Sequence, residues 1–165
     1  MMTGYLSEHL AYLSEEGKAD LVKLSAALSA EAKLDSQREV DRQAEADGTL
    51  DAGRELMSTS LGATEDVESE YSCTDCHKFH DEGDLGSAPD LTSYGSEQWL
   101  IELISNPEHE RFYESNNDRM PAFAANAEQP ENNTLSTDAV RMLARWLRGD
   151  DRNLVRKATP TDAST

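Results

Sequence analysis

The chain has 165 residues and a formal net charge of −18, from 15 Lys and Arg against 33 Asp and Glu. Leu, Ile, Val and Phe supply only 28 residues, about 17%, under the roughly 20% below which high net charge suggests disorder. Generic nucleic-acid binding is excluded because phosphates would be repelled. The scarcity of β-branched and aromatic residues argues against a sheet, so the expected fold class is all-α.

From the N-terminus, Leu6, Leu10 and Leu13 repeat at helical spacing and predict a short amphipathic helix over residues 5–13. Ser14 is a cap for a second helix, with Glu15 and Glu16 in its first turn and Leu21, Leu24 and Leu28 along one face. Ser36 can cap a third, but residues 37–48 hold one strong apolar residue, Val40, and read as a solvated connector. Residues 51–57 are helical again despite Gly53, whose presence points to close packing by another element.

Residues 59–72 are polar and acidic and read as a loop. Ser96 caps a short helix carrying Trp99, Leu100, Leu103 and Ile104, which Asn106-Pro107 stops. Residues 113–134 are irregular. Leu135 and Val140 flank the cap Ser136 as a staple for a last helix, with Leu143, Trp146 and Leu147 on its apolar face and Gly149 as its stop. Leu13-Ser14, Leu21 and Leu24 match Leu135-Ser136, Leu143 and Trp146 at equal offsets. Either these are two ordinary capped helices, or residues 1–34 contain the closing helix of an upstream domain of the same kind. The expected organisation is a helical extension over 1–49, one domain over 50–152 and a disordered tail over 153–165.

No run approaches the roughly 20 apolar residues of a membrane-spanning helix. His9, Glu15, Glu16, Lys18, Asp20 and Lys23 fall where a signal peptide would be apolar. The expectation is a cytoplasmic chain, or a fragment or mature form that has lost a targeting element.

The chemistry lies at Cys73-Thr74-Asp75-Cys76-His77, the C-x-x-C-H pattern of c-type haem attachment. Two thiols with two residues between them reach the two vinyl groups on one side of a porphyrin, and the adjacent His77 reaches the iron. The alternatives are zinc bound by Cys73, Cys76, His77 and His80, and a thiol redox pair. Zinc modules usually bring a second ligand pair from a distant element, and a redox pair favours a preceding strand.

Candidates for a sixth ligand are His80, His109, Met57, Met120 and Met142. Met120 stands out because Arg119-Met120-Pro121-Ala122-Phe123 lies in a polar segment with no apolar stripe to join, where a thioether facing iron explains its presence. Pro89 is either a turn proline or the carbonyl that accepts the Nδ1 proton of His77 and fixes its tautomer. Tyr94 and Trp99 are core aromatics whose polar atoms also suit a haem propionate.

With these elements in this order, residues 50–150 resemble a single-haem class I cytochrome c. In that resemblance the Asp51–Leu56 helix corresponds to the N-terminal helix whose glycine lets it cross the closing helix, and the Val140–Leu147 helix with Trp146 to the closing helix that packs on it. Leu56 and Met57 depart from the aromatic usual after that glycine, and the acidic 59–72 insertion is unusually long. The resemblance implies a cytochrome c fold with an extra N-terminal helical segment, one covalent haem c with His77 and Met120 on iron, and one-electron transfer rather than enzymatic turnover. A haem-based sensor or enzyme in which Met120 dissociates is the competing reading.

The stretches GSAPDLTSYGSEQWL, ISNPEHERFY and NDRMPAF resemble cytochrome c domains attached to bacterial cytochrome b-type quinol oxidoreductases. That narrower likeness implies a quinol-oxidising complex as electron donor, an oxidase or soluble cytochrome as acceptor, and a periplasmic location. Glu65, Asp66, Glu68, Glu70, Asp75, Asp81, Glu82, Asp84 and Asp90 crowd the haem turn against Lys78, as a solvated acidic surface or a steering field. Arg141, Arg145, Arg148, Arg152 and Arg156 give the last helix the opposite sign.

Overall fold

Three serines start three helices. Ser14, Ser96 and Ser136 each turn Oγ onto the backbone N–H three residues on, at 3.1, 3.2 and 3.2 Å. Each bond satisfies a donor that the first helical turn would leave unpaired. The structure is a computed structural model and describes residues 14–59, 72–85 and 88–150. Among these the order is α1 (Glu15–Glu31), α2 (Arg38–Ala46), α3 (Thr49–Ser58), α4 (Glu97–Ser105) and α5 (Thr137–Arg148), joined by irregular chain and single 3-10 turns. The described chain is therefore all-α, its only strand-like pairing an isolated bridge between Phe79 and Glu82.

The expected helix over 5–13, most of the acidic loop and the tail lie outside the described residues. The expected connector over 37–48 is a helix, α2, and Gln37 rather than Ser36 precedes it. No residue of α2 is buried and Val40 faces water. Its support is ionic, from Arg38 on Asp35 and from Arg42 on Glu39, whose Nε–Oε2 distance is 3.0 Å. Each such exposed pair adds little on its own, because water and salt screen it. A search for apolar periodicity misses a helix held this way.

Gly53 does mark a close crossing, but the partner is α1. A Cβ built on Gly53 would lie 2.2 Å from the Lys23 carbonyl oxygen and 2.8 Å from the Ala27 Cβ. Ala27 is fully buried in this seam, and Leu24 and Met57 join Phe79 in a core on which Leu21, Leu28, Leu56, Cys73 and Leu91 pack. The resemblance placed the last helix at this crossing; instead α5 packs chiefly on α4, burying Val140 and Ala144. Trp146, expected on the α5 seam, is 63% exposed, and Met142 is exposed as well.

The end of α1 is bound into the same unit. Glu31, 8% exposed, accepts the Ser93 N–H at 2.7 Å and lies 2.9 Å from His80 Nε2. Arg148, at the end of α5, donates to the carbonyls of Ala32 at 2.6 Å and Gly95 at 2.9 Å. A boundary at residue 49 therefore cuts through packed helices, and α1 belongs to the body that carries the cysteines. Arg148 is turned inward as a C-terminal cap rather than outward as part of a basic face.

Gly53→Ala should destabilise the fold by about 3 kcal/mol, because the added methyl meets a backbone oxygen that cannot move alone. The denaturation midpoint measures this, and an unchanged midpoint would show that the α1–α3 crossing is not formed.

Candidate functional site

Cys73–Asp75 is one 3-10 turn preceded by Ser72 in a capping box, with Ser72 N donating to Asp75 Oδ2 at 2.6 Å. The N–H groups of Cys76 and His77 both return to the Cys73 carbonyl, at 3.3 and 2.9 Å. That winding brings two thiols and an imidazole through consecutive positions of a single turn. Both cysteines are free thiols, half-buried. Burial pushes the Cys73 thiol above its ordinary value, and the Asp75 carboxylate adds to the effect. The thiol thus stays protonated to higher pH than an exposed cysteine.

Gly83 lets the chain fold back over this turn. Its φ is +73°, and a Cβ there would lie 2.4 Å from the His77 carbonyl oxygen and 2.7 Å from that of Thr74. The Phe79–Glu82 bridge closes the same reversal, and Phe79 drops into the core beside Leu24 and Met57.

His77 Nδ1 lies 2.7 Å from the Pro89 carbonyl oxygen. A carbonyl only accepts, so the shared proton sits on Nδ1 and the lone pair of Nε2 is left to bind a metal. The Pro89 segment is held from several sides. Asp90 N donates to the Arg111 carbonyl and Leu91 N to the Lys78 carbonyl, each at 2.8 Å. His80 N donates to Thr92 Oγ1 at 2.7 Å.

Trp99 is a buried core aromatic. Its indole N–H donates to the Asp90 carbonyl at 2.7 Å, so its single donor is committed to the protein and not left for a propionate. Phe112 and Tyr94 meet its ring edge-to-face, with centroids 5.4 and 5.0 Å away. Tyr94 is 44% exposed. Asp90, counted among the acidic surface residues, is instead buried and bonded to Arg111 and Thr92 N.

Met120 is half-buried on a separate segment whose residues on either side, 118–119 and 121–122, are exposed. The Asn117 amide brackets it, accepting the Met120 N–H at 3.1 Å and donating to its carbonyl at 2.8 Å. Phe123 N and Ala124 N then donate to the Ile104 and Ser105 carbonyls at 3.3 and 3.1 Å, tying the segment to the end of α4. The bonds and ring contacts above link the cysteine turn, His77, Pro89, Tyr94 and Trp99, whereas the Met120 segment is tied to Asn117 and to the end of α4. Of the other candidate ligands, Met57 is core, and His109 Nδ1 accepts the Arg111 N–H at 3.2 Å.

The donor set fits a c-type haem: two free thiols on one turn and an imidazole with its Nε2 lone pair available. It does not fit the four-ligand zinc site, because His80 is turned onto Glu31, and no three His, Cys, Asp or Glu side chains gather among the described residues. No protein-family model, curated protein or solved structure matches the chain. Among the described residues no helix is long and apolar enough to cross a membrane.

Sequence reasoning missed Arg111, Glu31 and Asn117. Only the Asn117 contact is local; the other two join residues far apart in the chain and leave no spacing to read.

Gly83→Ala should cost about 2–3 kcal/mol, from positive φ and from the collision with two carbonyl oxygens of the cysteine turn. A thermal or denaturant midpoint equal to that of the parent would contradict this role for Gly83.

Proposed function

We propose that the chain holds one c-type haem through Cys73 and Cys76, with His77 and Met120 on iron, and that it carries single electrons. The observation that carries this reading is the His77–Pro89 hydrogen bond directly after a C-x-x-C turn of free thiols. That bond orients the imidazole, fixes its tautomer and raises the basicity of Nε2.

When bound, the haem supplies a one-electron Fe(III)/Fe(II) couple. The chain's own residues do the rest. The thiols anchor the group, and His77 and Met120 leave no open position for a substrate. A neutral thioether ligand also favours the reduced state. Asn117 holds the Met120 backbone, so the distal ligand is presented from a stiffened loop. Leu85, Tyr94, Leu143 and Leu147 are large apolar residues left partly exposed, and an apolar macrocycle is the kind of surface they suit.

The wider setting rests on the likeness of three sequence stretches to domains of quinol-oxidising complexes. In it the chain works on the extracytoplasmic side of a bacterial membrane, receives electrons from a quinol-oxidising complex and passes them to an oxidase or soluble cytochrome. The acidic exterior suits a basic face on a partner, through long-range attraction that salt screens.

The test is the visible spectrum of the purified protein, oxidised and reduced. Expected are haem bands that survive denaturation, as thioether attachment requires, and a low-spin spectrum inert to carbon monoxide. Met120→Ala should open the iron to carbon monoxide and lower the reduction potential by roughly 0.1 V or more. A parent protein that binds carbon monoxide rapidly would favour a sensor or enzyme, and colourless protein containing zinc would end the haem reading.

A further inference from the structure

Pro89 and Asp90 share a peptide bond whose two ends are both gripped. Its carbonyl oxygen accepts the His77 Nδ1 proton at 2.7 Å, and its N–H donates to the Arg111 carbonyl at 2.8 Å. No peptide bond in the described chain is cis, so this unit is trans and planar, with its oxygen and hydrogen pointing opposite ways. A rotation that frees one bond strains the other. Donation from the N–H also polarises the carbonyl into a better acceptor.

The Arg111 side chain fixes the residues on which this plane sits. Nε donates to Asp90 Oδ2 at 3.0 Å and Nη2 to the Thr92 carbonyl at 2.6 Å. Nη1 reaches Glu102 of α4 at 2.6 Å. The side chain is 24% exposed and lies over the Phe112 ring, 5.9 Å from its centroid. Three acceptors in three directions use the fixed fork of a guanidinium, which an ammonium cannot reproduce.

We propose that Arg111 is a positioning residue for His77: it holds the Pro89–Asp90 peptide so that His77 Nδ1 is tightly bonded and Nε2 is a strong donor to iron. This rests on the haem reading. Arg111 touches neither the imidazole nor the iron ligand atoms, so its effect passes through Asp90 and Pro89.

Charge and position predict different outcomes, which makes the role testable. A weaker bond to Pro89 makes His77 a poorer donor, the ferric state loses support, and the reduction potential rises. Arg111→Lys keeps the positive charge while losing the fork, so an effect of charge alone leaves the potential unchanged. In the haem-loaded protein, Arg111→Lys should raise the ratio of reduced to oxidised protein at fixed ambient potential at least threefold. That is about 28 mV at 59 mV per tenfold for one electron. The His77 Nδ1 proton, followed by NMR in the reduced state, should also exchange with solvent several-fold faster.

An unchanged or lowered potential together with unchanged proton exchange overturns the proposal. If the Lys variant does not accumulate, Asp90→Asn tests the same linkage by proton exchange alone, since its own charge change also moves the potential. Unchanged exchange there overturns the proposal equally. A parent protein without covalent haem overturns the underlying reading. Haem present with an indifferent Arg111 variant overturns only this assignment.

Discussion

Residues 89–93 are where the separate parts of this molecule are joined. Within five residues the chain bonds to the cysteine turn through Pro89 and Leu91, to the Arg111 loop through Asp90 and Thr92, and to α1 through Ser93. The Trp99 indole adds α4 through the Asp90 carbonyl. A stretch with so many outward bonds needs no regular structure of its own, and its backbone groups are satisfied by distant partners. Its conformation fixes where the His77 ring stands, so the site depends on contacts made far from the cysteines.

The helix pairing shows how far an amphipathic pattern can be trusted. Gly53 announces that something crosses α3 closely, and the leucines of α1 and the apolar face of α5 are equivalent candidates for the crossing. Nothing in either stripe names its partner. Ala27 and Leu24 of α1 fill the seam, while α5 packs on α4 through Val140 and Ala144 and meets α1 at its end, where Arg148 donates to the Ala32 carbonyl. The shared Leu-Ser signature of the two helices is thus a likeness of local design, with each helix docked on a different neighbour.

Local features were legible in the sequence and long-range polar ones were not. The caps at Ser14, Ser96 and Ser136, the Asn106-Pro107 stop, the Gly149 stop and the all-α class each follow from a few adjacent residues, and the structure contains them. The contact between His77 and Pro89 could be anticipated because Pro89 follows only twelve positions after His77 in the chain. Helix α2 was missed because ion pairs, not apolar periodicity, support it. The acceptor of the Trp99 indole could not be read from the sequence, because the Asp90 carbonyl is a backbone atom that any sequence possesses.

The opening imbalance between charge and apolar content looks different once the cations are located. Fifteen basic residues cannot neutralise 33 acidic ones, so where the basic residues go is informative. Arg111 and Arg148 are drawn inward: Arg148 bridges the carbonyls of Ala32 and Gly95, and Arg111 bridges the carboxylates of Asp90 and Glu102 and the Thr92 carbonyl. Among the described residues Glu31 and Asp90 are the buried carboxylates, and each carries at least two hydrogen bonds. A buried charge bonded in this way is tolerated, whereas one stripped of its partner is costly, on the order of 3–5 kcal/mol. With few large apolar side chains available, cohesion between segments rests on a small set of multiply bonded polar residues. The other described carboxylates are not buried, and solvent and salt screen them. The composition that seemed to oppose folding therefore divides in two: a sparse inner network that defines the site, and an outer charge that the network does not need.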